Sequence, residues 1–111
     1  MVEVVIYSKA GKYSGFQVQG HSGYSEQGSD IVCSGISAIT QSAVMGLQYY
    51  FDESVEVKVK EGFLKCNLVL DKLSEAELEK VEVIIQTMLL GLESIKEEYK
   101  GYLNIVKKRR Y

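Results

Sequence analysis

Two periods in the hydrophobic pattern divide the chain into predicted strands and helices. Apolar and polar residues alternate over residues 2–7 and again over residues 13–19, which predicts two strands joined by a turn at residues 9–12. From Asp30 onward the apolar residues recur at spacings of three and four, which predicts an amphipathic helix capped by Ser29 or Asp30. Its apolar face is expected to consist of Val32, Ile36, Ile39, Ala43, Leu47 and Tyr50.

The same succession returns in the second half of the chain. Residues 54–60 and 64–70 alternate around Glu61 and Gly62, which predicts a β-hairpin. Ser74 and Glu77 have the spacing of a capping box and begin a second predicted helix, which Gly101 can end before a last strand at residues 102–106. The apolar stripe of that helix is expected to hold Leu78, Val81, Ile85, Met88, Leu92 and Ile95. The order ββαββαβ predicts an α+β fold of two layers, a largely antiparallel sheet with two helices covering one face.

Composition limits the class of protein. The chain has 111 residues, of which 46% are hydrophobic, and this favours a single folded domain spanning residues 1–111. The formal charge of −2 argues against binding of nucleic acid by bulk charge. The basic run at residues 107–110 is expected to be a solvated, frayed terminus, with contact to RNA or the ribosome as the alternative.

Cysteine content and the start of the chain indicate the compartment. Two cysteines are too few for a disulfide scaffold, and the opening residues lack the basic and apolar regions of a signal peptide. No apolar run is expected to approach the roughly 18 residues that span a bilayer. These features favour a small soluble intracellular protein without a membrane partner.

The candidate chemistry lies around one glycine- and serine-rich loop at residues 20–29. It holds the only histidine, His21, and leads through Asp30 to Cys33 in the first turn of the predicted helix. Backbone amides and the helix dipole favour a thiolate at that position. His21 can fold back to within ~3 Å of the thiol and serve as its base, while first-turn amides near Cys33 could stabilise an oxyanion. This constellation favours acyl transfer by a cysteine nucleophile.

The spacing alone leaves ordinary structural roles open. A cysteine on a helix is more often a small core residue, so Cys33 could be buried without catalysing anything. Cys66 lies in the alternating pattern of the second hairpin and is expected in the core. Ser37, one turn after Cys33, could donate a hydrogen bond to the thiol or simply lie on the helix surface. No pair of ligands has the spacing of a metal site.

Two stretches around this loop resemble the motifs of a known family. They are GHSGY at residues 20–24 and GSDIVCSGISA at residues 28–38. This pattern is similar to that of the ribosomal-processing cysteine proteases called Prp. The resemblance spans the chain, although the second half matches only in the order and character of its elements.

The resemblance implies a specific activity. Prp proteases remove a short N-terminal extension from large-subunit ribosomal protein twenty-seven in the cytoplasm, act as homodimers, and need no metal or other cofactor. The motif positions make His21 the general base and Cys33 the nucleophile, with Asp30 and Ser37 in supporting positions. The implied substrate loop contains Ser22, Gly23, Tyr24, Gly28 and Ser29, and an apolar cleft is expected beside Cys33. A hypothesis from another class is a non-catalytic ribosome-associated or RNA-binding module, against which the negative charge counts.

Overall fold

A computed structural model describes residues 1–26 and 28–110 and confirms the predicted order of elements. Two short 3-10 turns, Asp52–Ser54 and Leu70–Lys72, follow the first helix and the fourth strand. The strands are β1 (Val2–Lys9), β2 (Lys12–Gln19), β3 (Val55–Lys60), β4 (Phe63–Leu68) and β5 (Leu103–Arg110), and the helices are α1 (Ile31–Phe51) and α2 (Glu75–Glu98).

The five strands form one mixed sheet in the order β3-β4-β2-β1-β5. The pairs β1–β2 and β3–β4 are antiparallel, as their hairpin connections predict, and β2–β4 is antiparallel as well. β5 instead runs parallel to β1, with Val2 opposite Leu103 and Lys9 opposite Arg110. The predicted α+β architecture is therefore confirmed, with one parallel pair at the edge of the sheet.

The core lies between the sheet and the two helices. Alternate residues of the strands, such as Ile6 and Phe16, point toward the helices and are almost fully buried. They pack against Leu47 of α1 and against Ile85 and Leu92 of α2 in one apolar cluster. Because side chains alternate across a strand, this packing leaves the other face of the sheet uncovered by helices.

The start of α2 shows why the sequence signal there is reliable. The Ser74 side chain accepts a hydrogen bond from the amide of Glu77 at 3.2 Å, and the Glu77 carboxylate accepts one from the amide of Ser74 at 2.9 Å. Both bonds satisfy amides that the helix itself leaves unpaired. The predicted capping box is confirmed.

Three predictions from the pattern are wrong in detail. Tyr50 is 65% exposed, and Phe51 takes the place on the buried face of α1 that the spacing had given to Tyr50. Leu70 lies in the second 3-10 turn rather than in β4. The apolar stripe of α2 also includes Leu89, which is fully buried.

The basic run is not a frayed terminus. It forms the second half of β5, where hydrogen bonding to β1 holds it in the sheet. The Arg110 guanidinium donates a hydrogen bond to Oδ1 of Asn67 at 2.8 Å and lies 3.8 Å from the centre of the Tyr7 ring. Partners in other strands, which charge alone does not reveal, account for the difference.

The expectation about apolar runs is also wrong. Among the described residues, the stretch Ile31–Ser54, with a mean hydropathy of 1.3, is long and apolar enough to cross a membrane by length and composition. The core helix of a folded domain meets the same criterion. Here Val32, Ile36 and Leu47 of that helix lie in the apolar cluster beneath the sheet.

Candidate active site

The carboxylate of Asp30 organises the start of α1. Asp30 is the N-cap residue, and its Oδ1 accepts a hydrogen bond from the amide of Cys33 at 2.9 Å. A side-chain oxygen at this position satisfies an amide that the first turn leaves unpaired. Of the two capping residues that the sequence allows, Asp30 is the one used, and it fixes Cys33 in the first helical turn.

The other oxygen of the same carboxylate gathers the loop that precedes the helix. Oδ2 of Asp30 accepts hydrogen bonds from the Ser22 hydroxyl and from the amides of Tyr24 and Ser25, the last two at 3.1 and 3.2 Å. Burial raises the pKa of Asp30, but the hydrogen bonds from Ser22, Cys33, Ser25 and Tyr24 outweigh burial and lower that pKa to about 2. The carboxylate therefore stays charged and ties the loop to the helix.

Cys33 lies where the loop, the helix and the sheet meet. Its side chain is partly buried, and its Sγ accepts a hydrogen bond from the backbone amide of Ser22 at 3.4 Å. The amide of Cys33 itself is engaged by Asp30, and the amide of Ser34 by the carbonyl of Asp30 at 3.0 Å. Two of the amides that the sequence offers to an oxyanion are thus already engaged, and the Ser22 amide is the donor that faces the sulfur.

The imidazole of His21 is exposed and lies against the β3–β4 turn. A Cβ atom built on Gly62 would come 3.0 Å from Nε2 of His21, and the amide of Gly20 donates to the carbonyl of Gly62 at 2.9 Å. Within residues 1–26 and 28–110, no hydrogen bond joins the imidazole to the Cys33 thiol. The two groups line the same cleft, but the hydrogen bond that the sequence allows between them is not formed in this structure.

An open cleft of about 570 Å³ contains both candidate catalytic side chains. His21 and Cys33 contribute polar atoms to its wall, and Ser37 lies on the same side as Cys33, one helical turn further on. The remaining wall is mostly apolar, formed by Val2, Val18, Ile36, Val59, Phe63 and Leu64. An apolar cleft beside the thiol is suited to hydrophobic side chains of an extended peptide.

Ser37 makes a different contact from the one considered in the sequence. Its hydroxyl accepts a hydrogen bond from Nε2 of Gln41 at 2.7 Å, and its side chain is exposed. In the part of the chain that the structure describes, it is not hydrogen-bonded to Cys33. Ser37 thus lines the cleft, and its hydroxyl is paired with Gln41.

The rest of the implied substrate loop is built from turns. Gly23 and Gly28 have φ angles of +74° and +95°, a region that side chains with a Cβ atom rarely adopt. The hydroxyl of Ser29 donates to the carbonyl of Glu26 at 3.2 Å. The Tyr24 ring stands edge-on to two rings that sequence reasoning did not connect with the loop, Tyr99 at 5.5 Å and Tyr102 at 5.2 Å.

The second cysteine belongs to the core, as its position in the pattern predicts. Cys66 is 1% exposed, and burial raises the pKa of its thiol to about 12. Over the described ranges, no three His, Cys, Asp or Glu side chains come together in a way that could hold a metal ion. Among the described residues, the thiol and imidazole that line the cleft are those of Cys33 and His21.

Sequence reasoning missed the contacts that arrive from distant elements. Gly62 lies about forty residues after His21, and only the pairing of β2 with β4 brings the two together. A signal did exist, because a glycine in a tight hairpin turn often allows close approach of another group. The hydrogen bond from the Ser22 amide to Cys33 could not be predicted from residue types, because every residue except proline carries the same backbone amide.

Comparison with known proteins gives consistent relatives. The sequence profile of the family described as "Cysteine protease Prp" matches residues 1–104. A curated relative from Staphylococcus aureus, named ribosomal processing cysteine protease Prp, is 33% identical over 91 residues, which is 80% of this chain and 81% of the relative. A protein of the same name from Bacillus subtilis is 26% identical over 92 residues, 81% of each chain.

A solved structure shares the fold. The crystal structure of the essential ribosomal processing protease Prp from Staphylococcus aureus, in complex with a covalently linked product peptide, superimposes with a TM-score of 0.83. The sequence identity is 30%, and the match covers 97% of this chain and 100% of that one.

Proposed function

The chain belongs to the Prp family of cysteine proteases, and from that premise we propose that it removes the short N-terminal extension of large-subunit ribosomal protein twenty-seven. The observation that carries the proposal is the placement of Cys33 at the start of α1, in an apolar cleft that the only histidine also lines. The ribosomal processing named for the relatives supports the choice of substrate. The covalently linked product peptide in the Staphylococcus aureus protein supports a covalent mechanism.

In the proposed reaction Cys33 is the nucleophile and His21 the general base. His21 accepts the thiol proton while Sγ adds to the carbonyl carbon of the scissile peptide bond. The tetrahedral intermediate then expels the amine, which takes its proton from His21, and leaves a thioester on Cys33. Water hydrolyses the thioester with His21 again accepting a proton, which releases the extension with a new carboxylate and restores the thiol.

One backbone amide and two side chains support these steps. The amide of Ser22 donates to Sγ at 3.4 Å, and a donor at this place stabilises negative charge on the sulfur or on an adjacent oxyanion. Asp30 acts through positioning, because its carboxylate holds both the Ser22 hydroxyl and the Cys33 amide. Ser37 lies in the cleft wall, where substrate can displace the bond that its hydroxyl receives from Gln41.

His21 reaches the thiol only when substrate is bound. In the free protein its ring lies against Gly62, and Gly20 and Gly23 on either side have positive φ angles that permit local rearrangement. A peptide seated in the cleft would order the loop of residues 22–29 and bring the imidazole to the sulfur. The dyad is thus assembled by substrate rather than preformed.

The remaining features of the proposal follow the family resemblance. The protein works in the cytoplasm as a homodimer, its protease domain spans residues 1–111, and its reaction uses no metal or other cofactor. The apolar lining of the cleft supports a substrate with hydrophobic residues at the scissile bond. Partners other than the ribosomal protein are not required for this chemistry.

Incubation with the extended ribosomal protein, followed by mass measurement, tests the proposal. We expect the native enzyme to cut the ribosomal protein at a single peptide bond and to leave it without its N-terminal extension. The Cys33→Ala and His21→Ala variants should give no shortened product. Because Cys33 is only partly buried, the Cys33→Ala protein should unfold at nearly the native temperature. The double variant should be scarcely less active than either single variant, since groups that act as a unit are not additive. Cleavage at a comparable rate by the folded Cys33→Ala protein would overturn the assignment.

A further inference from the structure

The face of the sheet that the helices leave open is strongly basic. Alternation along the strands places the odd positions of β1 and β4 and the even positions of β3 and β5 on this face. In β2 the face includes Gln17, Gln19 and, beyond an irregularity in the ladder, Lys12. The basic side chains there are Lys9, Lys12, Lys58, Lys60, Lys65, Lys108 and Arg110. The acidic ones are Glu3 and Glu56. The face is therefore positive in a chain whose formal charge is −2.

The compensating negative charge lies on the opposite side of the molecule. α2 carries seven acidic side chains and two lysines along its length. The small formal charge of the whole chain is thus the sum of a positive sheet face and a negative helix. Such a separation creates a local positive potential that the composition alone does not reveal.

Like charges face each other directly across neighbouring strands. Lys58 lies opposite Lys65 in the β3–β4 ladder, and side chains in that relation repel each other. This pair offers the isolated fold no electrostatic benefit. It becomes favourable when an anion lies between or above the two ammonium groups.

Arg110 is held in place on the same face. Its guanidinium donates to Asn67 at 2.8 Å and covers the Tyr7 ring at 3.8 Å from the ring centre. The guanidinium plane of Arg110 is therefore held in place before a ligand binds, so this side chain loses less conformational entropy on binding. A planar cation over an aromatic ring is a group on which an unpaired base can stack.

We propose that this open sheet face binds single-stranded RNA. The lysines would contact phosphates, and the Arg110 plane would stack on a base. Gln17 projects from the same face beside the lysines, and although its Nε2 donates to Gln19 at 3.3 Å, its Oε1 can accept from a base edge. The Asn67 amide is already engaged, because it donates to Glu56 at 3.0 Å and accepts from Arg110. An acidic polypeptide would use the lysines but not the stacking plane or the Gln17 amide. A second copy of the same face would bring like charges together.

The RNA would lie beside the active-site cleft without entering it. Lys60 and Phe63, at the β3–β4 turn, belong to the edge of the basic face and also line the cleft. Lys58, Lys65 and Lys108 lie farther along the strands and do not line the cleft. Binding of RNA and cleavage of peptide can therefore be tested separately.

Fluorescence anisotropy with a labelled single-stranded RNA of about 16 nucleotides tests the proposal in the full chain. The test variant carries Lys58→Gln, Lys65→Gln and Lys108→Gln. The control carries Lys80→Gln, Lys96→Gln and Lys100→Gln, which change the overall charge equally but lie on α2 or just after it. Both variants should unfold at about the native temperature, because the altered side chains lie at the surface.

We expect the test variant to bind RNA at least about tenfold more weakly than the control at low salt. Between about 50 and 200 mM salt, its plot of log affinity against log salt should be shallower by about 2, since each lost phosphate contact removes about 0.7. Equal affinities of the two variants would overturn the proposal. So would equally tight binding of polyglutamate or of duplex RNA, or a loss of dimer confined to the test variant. None of these results depends on protease activity, so failure of the proposed cleavage would leave this test intact.

Discussion

The imidazole of His21 and the backbone of Gly62 are in such close contact that a single added carbon on Gly62 would lie 3.0 Å from Nε2. The neighbour is the end of a movable side chain, so Gly62→Ala would displace the imidazole rather than break the fold. We expect Gly62→Ala to lower kcat by about tenfold to a hundredfold, because the imidazole moves from this turn to the sulfur when substrate binds, and an added methyl group beside its path would disturb the geometry that the reaction needs.

Gly11→Ala is the matched control for that substitution. Gly11 also lies in a tight hairpin turn, with φ of +78° against +68° for Gly62, but nothing lies within 4 Å of its added carbon. Both variants should lose a similar stability of about 1–2 kcal/mol from the left-handed backbone. Thermal unfolding and steady-state kinetics separate the two effects. Equal kcat values for the two variants would show that the contact with His21 does not position the imidazole.

Asp30→Asn should destabilise the protein near neutral pH. The carboxylate accepts from Ser22, Tyr24, Ser25 and Cys33, whereas an asparagine side chain has only one accepting oxygen. The pKa of Asp30 is lowered to about 2 in the folded protein, against about 3.9 in an unfolded chain. Its contribution is therefore complete above about pH 3.9 and is lost as the pH falls through about 2.

Thermal unfolding of the native protein and Asp30→Asn from neutral pH down to about pH 2 measures this contribution. The difference between their unfolding temperatures should shrink on acidification. Asp71→Asn, at an exposed position in the second 3-10 turn, serves as the control and should change little. A constant difference across the whole range would mean that the charge of Asp30 has no part in stability.

Alkylation by iodoacetamide should modify one cysteine in the folded protein. Burial raises the pKa of Cys66 to about 12 and removes it from solvent, so the reagent should add only to Cys33. Since no hydrogen bond joins His21 to Cys33 in the described part of the chain, His21→Ala should leave the alkylation rate within about twofold. Mass spectrometry after digestion follows each site. A rate many times slower in His21→Ala would instead indicate a preformed dyad.

Amide exchange should report ordering of the loop by substrate. Gly23 and Gly28 are exposed and bury little surface, so exchange at residues 22–26 and 28–29 should be fast in the free Cys33→Ala protein. Gln27 lies outside the described residues. An extended substrate that this variant cannot cleave should slow this exchange. The amides of Tyr24 and Ser25, which bond to Asp30, should be the slowest of the loop in the free state. Equal, strong protection with and without substrate would contradict assembly of the site by substrate.

The sequence predicts the elements well because local periodicity determines them. The alternation in β1 and the capping box at Ser74 depend on residues within a few positions of each other, and both are confirmed. The pattern does not distinguish Tyr50 from Phe51, because the two aromatic residues are neighbours at the end of the helix. Packing in the folded protein decides that Phe51 is buried and Tyr50 is exposed. A local pattern thus predicts that a helix forms more reliably than it predicts which residue of the last turn is buried.

The candidate site was predictable as a set of residues but not as a geometry. His21 and Cys33 do line one cleft, as the motif implies. The contact of His21 with Gly62 depends on strand pairing over about forty residues, and the positive face of the sheet depends on which lysines share a side. Such relationships arise from the register of the sheet, which a count of charges does not contain.

The parallel pairing of β5 with β1 has a consequence for synthesis. β1 is made before every other element of the sheet, yet the strand that covers its outer edge is Leu103–Arg110, the last of the five strands. During translation β1 can pair with β2 early, but its other edge stays open until those late residues leave the ribosome. An uncovered edge of that kind is a site for association with other chains. The nascent protein is therefore vulnerable to aggregation until Leu103–Arg110 have left the ribosome, although the strands and helices that form most of its apolar core are made before them.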